Sequence, residues 1–496
     1  MSIFGTNGAK TGEDNKIANK IQGGGAYCTN NIVQKCLSFA VSLALMLGMA
    51  PGKMTQAATE IPEGRTLSGV DVSGVTVASS WTDEGKCDQA FYSKIESEYS
   101  SSYNSADTAL EIGTAAELAA FAKFVNDGVG SGYPDYKNSH GFENKFVCLT
   151  DDIDLQGVAP TVDYQNDGDD GFKVVLTGAV SNNWVPIDYF RGTFDGDGHS
   201  IFNVVICAGQ RDHEYIGLFR MTNDVTIQNL GVKNIVVMGC QSAGKIVGYM
   251  NGTIQNCYAS GTIYVCADDR PIAVAGIAAN VYGTMKNCYN SGDIFAADIS
   301  EENFVRCCGL CAGAFSCIVD NCFSTSRIYA YSSYCIVAGL ASRADTISNC
   351  YYDKDAAPGI SATDSDRNID PETVKGLTTA EFEQKLTEIT DENGDKMWFL
   401  APGILDPRKT LHSSDFTFTL PEDLYYDGQG KVITIKPKDG ITGIGAVTVK
   451  YYKVNSDGTL GAASITPPTD AGRYKIKFDV AGGTEYYSAT DLPAMF

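Results

Sequence analysis

The stretch "GTIQNCYASG" (Gly252–Gly261) returns as "GTMKNCYNSG" (Gly283–Gly292), displaced by 31 residues. Aligning the chain on this Asn extends the pair into a series. It runs "FNV" at Asn203, "IQNLG" at Asn229, "IQNCY" at Asn256, "MKNCY" at Asn287, "VDNCF" at Asn321 and "ISNCY" at Asn349, at intervals of 26, 27, 31, 34 and 28 residues. Upstream of each Asn from the second onward lies a small-residue strand. Its glycines, Gly217, Gly244, Gly276, Gly309 and Gly339, precede the Asn by 12, 12, 11, 12 and 10 residues. The Gly-to-Asn distance holds while the full interval drifts, so insertions are confined to one loop. That is how a solenoid coil behaves.

Each unit holds short β-prone runs ("TIQNCYAS", "GTIYVCA") and no stretch of helical periodicity. Units of this length cannot bury a core alone. They stack instead, with strands of successive coils ~4.8 Å apart. The Asn is expected at a corner, its amide bonded to the same Asn in the next coil. The residue after it runs Val204, Leu230, Cys257, Cys288, Cys322, Cys350. Cys alternating with Leu and Val reads as an inward-facing small apolar side chain rather than a reactive thiol.

Stacked coils leave two open ends that need covers. In "TAAELAAFAKFVNDG", Thr114 and Glu117 make a capping box, and Leu118, Phe121, Ala122 and Val125 share one helical face. This helix is expected to cover the N-terminal end. A second short helix, "LTTAEFEQKLTEI" (Leu377–Ile389) with Thr378 or Thr379 as cap, is expected to close the last coil together with Trp398. From about Ser413 the texture changes to alternating strands: "DFTFTL", "KVITIKP", "AVTVKYYKV", "RYKIKFDV". That pattern suits a small β-sandwich over residues 413–496.

Several motifs, in order, resemble the GLUG-repeat family of bacterial exported surface proteins. They are "EIGTAAELAAFAKFVNDG" (Glu111–Gly128), "KFVCLTDDIDL" (Lys145–Leu155), "WVPIDYFRGTFDGDGHSI" (Trp184–Ile201), "IGLF" and the Gly/Asn series. The resemblance implies a right-handed parallel β-helix on a cell surface. The chain departs from the family in its many cysteines and in "AGKIVG" and "CCGLCAG", where Gly-Gly-Leu-Val-Gly is typical. The segment from "YYDGQG" through "PPTDAGRYKIKFDVAGG" resembles the Ig-like modules that occur in tandem on bacterial surface proteins, with Tyr474 where such modules keep a structural tyrosine.

The resulting expectation is an all-β chain. Residues 1–58 form a leader and signal peptide, 59–104 an irregular N-terminal segment, 105–405 the capped solenoid and 413–496 the Ig-like module. The leader reading rests on "CLSFAVSLALMLGMA" (Cys36–Ala50), an apolar run of 15 residues preceded by Lys35. That is short for a membrane span and right for a signal-peptide core, with cleavage expected near Ala57 or Ala58. The sequence stops at "DLPAMF" without a sorting signal and hydrophobic tail, which fits a released protein or the front of a longer one. The net charge of -23 disfavours nucleic acid and anionic lipid as partners. A glycan, a host or environmental surface protein, or a cell-wall component is the expected partner.

Chemical candidates are few. Parallel β-helices often carry polysaccharide lyases and hydrolases, which need paired acids. Asp195, Asp197 and His199 in "TFDGDGHSI" are the nominees, and a tight turn is the stronger reading of the same residues. The acidic loop "NDGDDG", with Asp167, Asp169 and Asp170, offers carboxylate oxygens for a structural Ca²⁺, without the spacing of a defined calcium loop. Cys308-x-x-Cys311 lacks a facing second pair, so no metal or other cofactor is expected. Whether the outer cysteines Cys87, Cys148, Cys207, Cys240 and Cys266 pair is left open. His140, His199, His213 and His412 lie far apart in the chain, with no zinc-protease pair.

The function expected is a non-enzymatic binding or adhesion scaffold, secreted or displayed on the cell surface. The rivals are a β-helix carbohydrate-active enzyme and a purely structural envelope protein. A row of tyrosines (Tyr258, Tyr264, Tyr282, Tyr289, Tyr329, Tyr331, Tyr334, Tyr351 and Tyr352) is the candidate ligand-facing surface.

Overall fold

The structure is a computed structural model. It describes Ile61 and residues 65–494, apart from 131–137, 169, 209–214, 268–269, 299–302, 364–369, 387, 389–397, 402–403, 408–410, 412, 422–428, 456–458, 484–485 and 487. The expected leader, its apolar run and its cleavage point lie outside the described residues.

One coil shows how the chain winds. Strand Ser242–Gly244 leads through Lys245 and Ile246 into strand Val247–Gln255. The chain turns at Asn256-Cys257 into strand Tyr258–Ala267, and strand Ile272–Ala275 opens the next coil. Every one of these strands pairs in parallel with its counterpart one coil on. Thus Thr253 lies beside Thr284, Tyr258 beside Tyr289 and Val274 beside Cys307. The result is two long parallel sheets, a β-helical stack consistent with a solenoid. The offset between paired residues goes from 31 at Ala267↔Asp298 to 33 at Ile272↔Val305, and a bulge between Val281 and Gly283 adds one more, so the drift in repeat length falls at these points.

Alternation decides what is buried. In Val247–Gln255, Met250 and Ile254 point inward at 0% exposure, while Tyr249, Asn251, Thr253 and Gln255 face outward. Each fully buried Ile or Met contributes roughly 1.5–3 kcal/mol. The glycine series permits close approach of coils. A Cβ on Gly309 would stand 2.1 Å from the Gly339 carbonyl oxygen, and one on Gly276 would stand 2.2 Å from that of Gly309. No larger residue fits there.

Helix Ala115–Asp127 covers the first coil. Thr114 Oγ1 accepts from the Glu117 amide at 3.2 Å, and the Glu117 carboxylate returns the bond to the Thr114 amide at 3.0 Å. Its apolar face, Leu118, Phe121, Ala122 and Val125, is buried, and Phe121 meets Phe142 edge-on with ring centroids 5.1 Å apart.

The described residues of the 59–104 segment, expected to be irregular, hold regular elements. They contain strand Thr66–Val77 and helix Gln89–Glu98, capped by Asp88. The strand pairs in parallel with Gly171–Val180, which forms a hairpin with Thr161–Asp167. The strand was obscured because its partner lies about a hundred residues away, so no local turn announces it. This three-stranded sheet packs on the outside of the stack. Its Leu67, Val70, Phe172 and Val174 cluster with Met238, Tyr264 and Phe295 of successive coils.

The second expected helix spans Thr379–Leu386, with Thr378 exchanging bonds with Glu381 at its start. It lies on the side of the stack, where Phe382 and Leu386 cover an aromatic column. Trp398 sits in a separate two-stranded ribbon, Trp398–Ala401 with Ile404–Pro407. The last residues form antiparallel sheets. Phe416–Thr419 pairs with Thr434–Pro437, and four further strands run in the order 460–464, 447–454, 474–480, 489–493. Their core is Leu411, Phe416, Ile433, Ile435, Tyr451, Ile476, Phe478, Val480 and Tyr486. Tyr474 donates its hydroxyl to the Asp470 carbonyl at 3.4 Å. Among the described residues, no helix is long and apolar enough to cross a membrane.

Candidate functional site

The nominated acids are engaged by their own turn. Asp195 accepts from the Asp197 amide (2.9 Å) and from Asn229 Nδ2 (2.9 Å) on one oxygen, and from Gln228 Nε2 (2.6 Å) on the other. Asp197 takes a left-handed backbone with φ 49°, which a short polar side chain tolerates. His199 Nδ1 lies 3.6 Å from Asp152 Oδ1, and that oxygen accepts from the Ser200 amide at 2.8 Å. Asp195 is therefore the first rung of a side-chain ladder.

That ladder continues coil by coil. Asn256 Nδ2 donates to Asn229 Oδ1 (3.0 Å), Asn287 to Asn256 (2.9 Å) and Asn321 to Asn287 (2.8 Å). All five of Asn229, Asn256, Asn287, Asn321 and Asn349 have φ between 51° and 53°. Asn suits the corner for two reasons, its tolerance of this backbone and its capacity to donate and accept. Asn349 Nδ2 donates to Asp320 Oδ1 at 3.1 Å, a departure at the last rung. Asn203 belongs elsewhere. It donates to Asp154 (2.8 Å) and accepts from Asn234 (2.7 Å), forming a second, shorter ladder. Its neighbour Val204 therefore leaves the Cys column as well. The alignment slipped because Asn203 has the same left-handed corner, with φ 54°.

Leu230 heads the buried column that continues through Cys257, Cys288, Cys322 and Cys350, all at 0% exposure. The Cys288 amide donates to Cys322 Sγ (3.4 Å) and the Cys322 amide to Cys350 Sγ (3.3 Å). Burial pushes the thiols of Cys257 and Cys322 well above their ordinary pKa, so both are protonated. No disulfide joins the fourteen described cysteines.

The calcium nominees Asp167 and Asp170 flank the hairpin turn of the outer sheet, and Asp169 lies outside the described residues. Arg65 Nη1 donates to the Gly171 carbonyl at 3.2 Å, placing a cation against that turn. Among the described residues, no group of three or more His, Cys, Asp or Glu side chains is arranged to hold a metal ion.

The expected tyrosine row is divided among several environments. Tyr258, Tyr289 and Tyr351 are buried in one cluster with Phe323, Phe382 and Leu386, with Tyr258 and Tyr289 stacked 5.5 Å apart at 7°. Tyr264, Tyr329 and Tyr331 lie under the outer three-stranded sheet, where Phe295 stacks on Tyr264 and Tyr329. Tyr352 packs into the main core. Tyr334 is 64% exposed, and Tyr282 stands on a different face. Outward aromatics of one sheet have become packing surfaces for added elements.

Tyr282 stands on a second outward face of the stack. This face is formed by the outward side chains of Val225–Gln228, Val247–Gln255 and Ala278–Lys286. Tyr249 sits between Tyr215, 5.2 Å away at 56°, and Tyr282, 5.5 Å away at 36°, and all three are partly exposed. Gly248 allows this, since a Cβ there would stand 2.7 Å from the Tyr215 Cβ. Beside the rings, Asn251 Nδ2 donates to Asn223 Oδ1 (2.8 Å), and Gln255 Nε2 donates to Gln228 Oε1 (3.0 Å). Between these amide columns runs a row of aligned threonines, Thr193, Thr226, Thr253 and Thr284. Sequence reasoning picked out Tyr282 but missed Tyr215 and Tyr249. Their signal was the recurrence of Tyr at near-coil spacing in "EYIGLF" and "IVGYM". A separate cleft near the N-terminal cover is lined by Trp81, Ala119, Lys123, Asn126 and Trp184, with both indole N–H groups directed to backbone carbonyls.

No protein-family model matches the chain. A protein named Halomucin from Haloquadratum walsbyi is 31% identical over 127 residues, covering 25% of this chain. The chain spans 1% of that relative's length. A solved Bacteroides ovatus structure, provisionally assigned as an immunoglobulin A1 protease, is 18% identical and covers 59% of this chain and 93% of its own, with a TM-score of 0.35. At that score the likeness carries no argument about fold or function.

Proposed function

We propose that the chain is an exported bacterial binding scaffold of the GLUG-repeat type, secreted or held at the cell surface. In this reading the stack winds right-handedly, the antiparallel C-terminal strands form an Ig-like module, and the scaffold presents its side to a glycan or protein ligand. The observation that carries it is the outward face at Tyr249. There, side chains of two successive coils are held in line by paired amides, so little side-chain freedom is lost when a ligand lands. A stack of this kind suits an extended ligand because its groups recur at each coil. The local similarity to Halomucin supports an outward-facing or secreted placement.

The test is to incubate the chain with a panel of host and plant polysaccharides and mucin, with and without Ca²⁺. Retention and release of reducing or unsaturated ends are both recorded. Retention without cleavage is expected. Cleavage abolished by Asp195→Asn or Asp197→Asn would make the protein an enzyme instead. Retention by none of the glycans, or by any surface protein tried in parallel, would leave a purely structural role.

A further inference from the structure

We infer that the cleft beside the N-terminal cover helix holds a single uncharged sugar ring, either a free monosaccharide or the end of a glycan. The inference goes beyond the scaffold reading above by adding a second point of contact, and it borrows from that reading only the ligand class. Three separate stretches of chain build the cleft. Helix Ala115–Asp127 supplies Ala119, Ala122 and Lys123, the segment after strand Thr66–Val77 supplies Trp81 and Thr82, and Trp184 and Val185 close it. Ala119 and Ala122 lie one helical turn apart, and their short side chains leave the space. The walls are braced. The Trp81 amide donates to the Asn183 carbonyl (3.0 Å) and its indole N–H to the Leu155 carbonyl (3.1 Å). Asn126 donates to the Pro186 carbonyl (3.1 Å) and accepts from the Asp188 amide (2.8 Å). A site held in this way gives up little freedom on binding. Its volume is about 220 Å³, below the roughly 300–1,000 Å³ of a site for a drug-sized ligand. That suits one ring rather than a chain.

A sugar ring has an apolar C–H face and a rim of hydroxyls, and the lining is divided in the same way. Trp81, Ala119, Ala122 and Val185 are apolar, and an indole packs well on C–H groups. At the rim, Asp127 Oδ2 accepts from Lys123 Nζ (2.6 Å) and from the Tyr92 hydroxyl (2.8 Å). Both bonds fall on one oxygen, so Oδ1 keeps its lone pairs for a ligand hydroxyl. Thr82 Oγ1 donates to Ser80 Oγ (3.0 Å) and likewise keeps acceptor capacity. The side chains of Lys123 and Asp127 are 44% and 41% exposed. An apolar side chain of a partner protein would strip water from them and return no bond, whereas sugar hydroxyls replace that water. An anionic sugar would meet Asp127 on a chain of net charge -23. A cation would meet Lys123, and Lys86 Nζ stands 5.4 Å from the centre of the Trp81 ring.

The test titrates the full chain with glucose, galactose, mannose and N-acetylglucosamine, and with glucuronate and N-acetylneuraminate as anionic counterparts. Binding is followed by calorimetry and by tryptophan fluorescence, since two of the three tryptophans line the cleft. Variants are Trp81→Ala, Asp127→Ala and Thr82→Trp, the last filling the cleft from an exposed position, with Tyr334→Ala as the control. The expected result is saturable, millimolar binding of at least one neutral sugar, weakened at least tenfold by each cleft variant and unchanged by Tyr334→Ala. If Trp81→Ala loses its far-UV circular dichroism, the other two variants, both at exposed positions, decide. Equal binding of the methyl glycoside assigns the end of a glycan, and binding of the free sugar alone assigns a monosaccharide. Affinity unchanged in Asp127→Ala and Thr82→Trp would overturn the site. Binding of anionic sugars alone, or of no sugar, would overturn the ligand. Polymer retention that survives Thr82→Trp leaves the scaffold reading standing when the cleft fails, and sugar binding without any polymer retention keeps the cleft and counts against that reading.

Discussion

Lys245 is the residue whose replacement tests the physics of this stack most directly. It follows Gly244 at a corner, is 0% exposed, and its Nζ donates to Asn290 Oδ1 (2.8 Å) and the Ser291 carbonyl (2.5 Å) of the next coil. Burial disfavours the ammonium, so its pKa falls from 10.5 to about 7, with Asp293 pulling weakly the other way. Between those values the folded chain holds a neutral amine while the unfolded chain still carries the proton. The unfolded state therefore binds more protons, and stability rises with pH through this window. At about 1.4 kcal/mol for each pH unit, the drop from 10.5 to about 7 corresponds to roughly 5 kcal/mol. Lys245→Met keeps most of the volume and abolishes the titration. It also leaves the Asn290 and Ser291 oxygens without their donor, at about 1–3 kcal/mol each. Urea unfolding followed by far-UV circular dichroism from pH 6 to 10.5 gives both profiles. Raised thiol and tyrosine pKa values lower stability above about pH 9, but they are common to both proteins and drop out of the difference. The wild type should gain on the variant by several kcal/mol as pH rises from 7, with no relative change below it. Parallel profiles across the window would refute the reasoning.

Asn287→Ala should cost about 2–3 kcal/mol, from two lost ladder bonds and a left-handed backbone that Ala resists, and Asn287→Gly should cost less, both read from urea midpoints. Asp195→Ala removes the acceptor of Gln228 and Asn229 and should cost about 1–3 kcal/mol in the same assay. Gly309→Ala should prevent stable folding, seen as loss of soluble chain, because its Cβ would meet backbone at 2.1 Å. A thiol reagent should label exposed Cys335 in the native chain and leave Cys257, Cys288, Cys322 and Cys350 unreacted until the chain is unfolded, as mass spectrometry would show.

The coil was legible because its corners make demands that few residues meet. A left-handed corner that must donate and accept selects Asn, and backbone contact closer than 3 Å selects Gly. These demands return with every coil, so they print a period on the sequence. Asn203 shows the limit of that signal, since a second corner with the same demand offered a false rung. The tyrosines show another. An outward Tyr reads the same whether water or an added element lies over it, and Tyr264 packs with Thr66–Val77, far away in the chain, while Tyr351 packs with Thr379–Leu386. Tyr249 was missed for a related reason. Its contacts to Tyr215 and Tyr282 are offset rather than in strict register, because Tyr249 pairs with Asn280 and Asn251 pairs with Tyr282.

The near-identity of Gly252–Gly261 and Gly283–Gly292 has a bearing on how such a chain changes length over generations. Recombination between the two copies would excise 31 residues, one whole coil, without shifting any later side chain from its column. Asn287 would then face Asn229, Cys288 would face Leu230, and the ladder would close over the gap. The reverse exchange would add a coil just as smoothly and lengthen the Tyr249 face by one step. Reach is thus a heritable variable of this molecule, adjustable in whole coils while its covers and its C-terminal strands stay as they are.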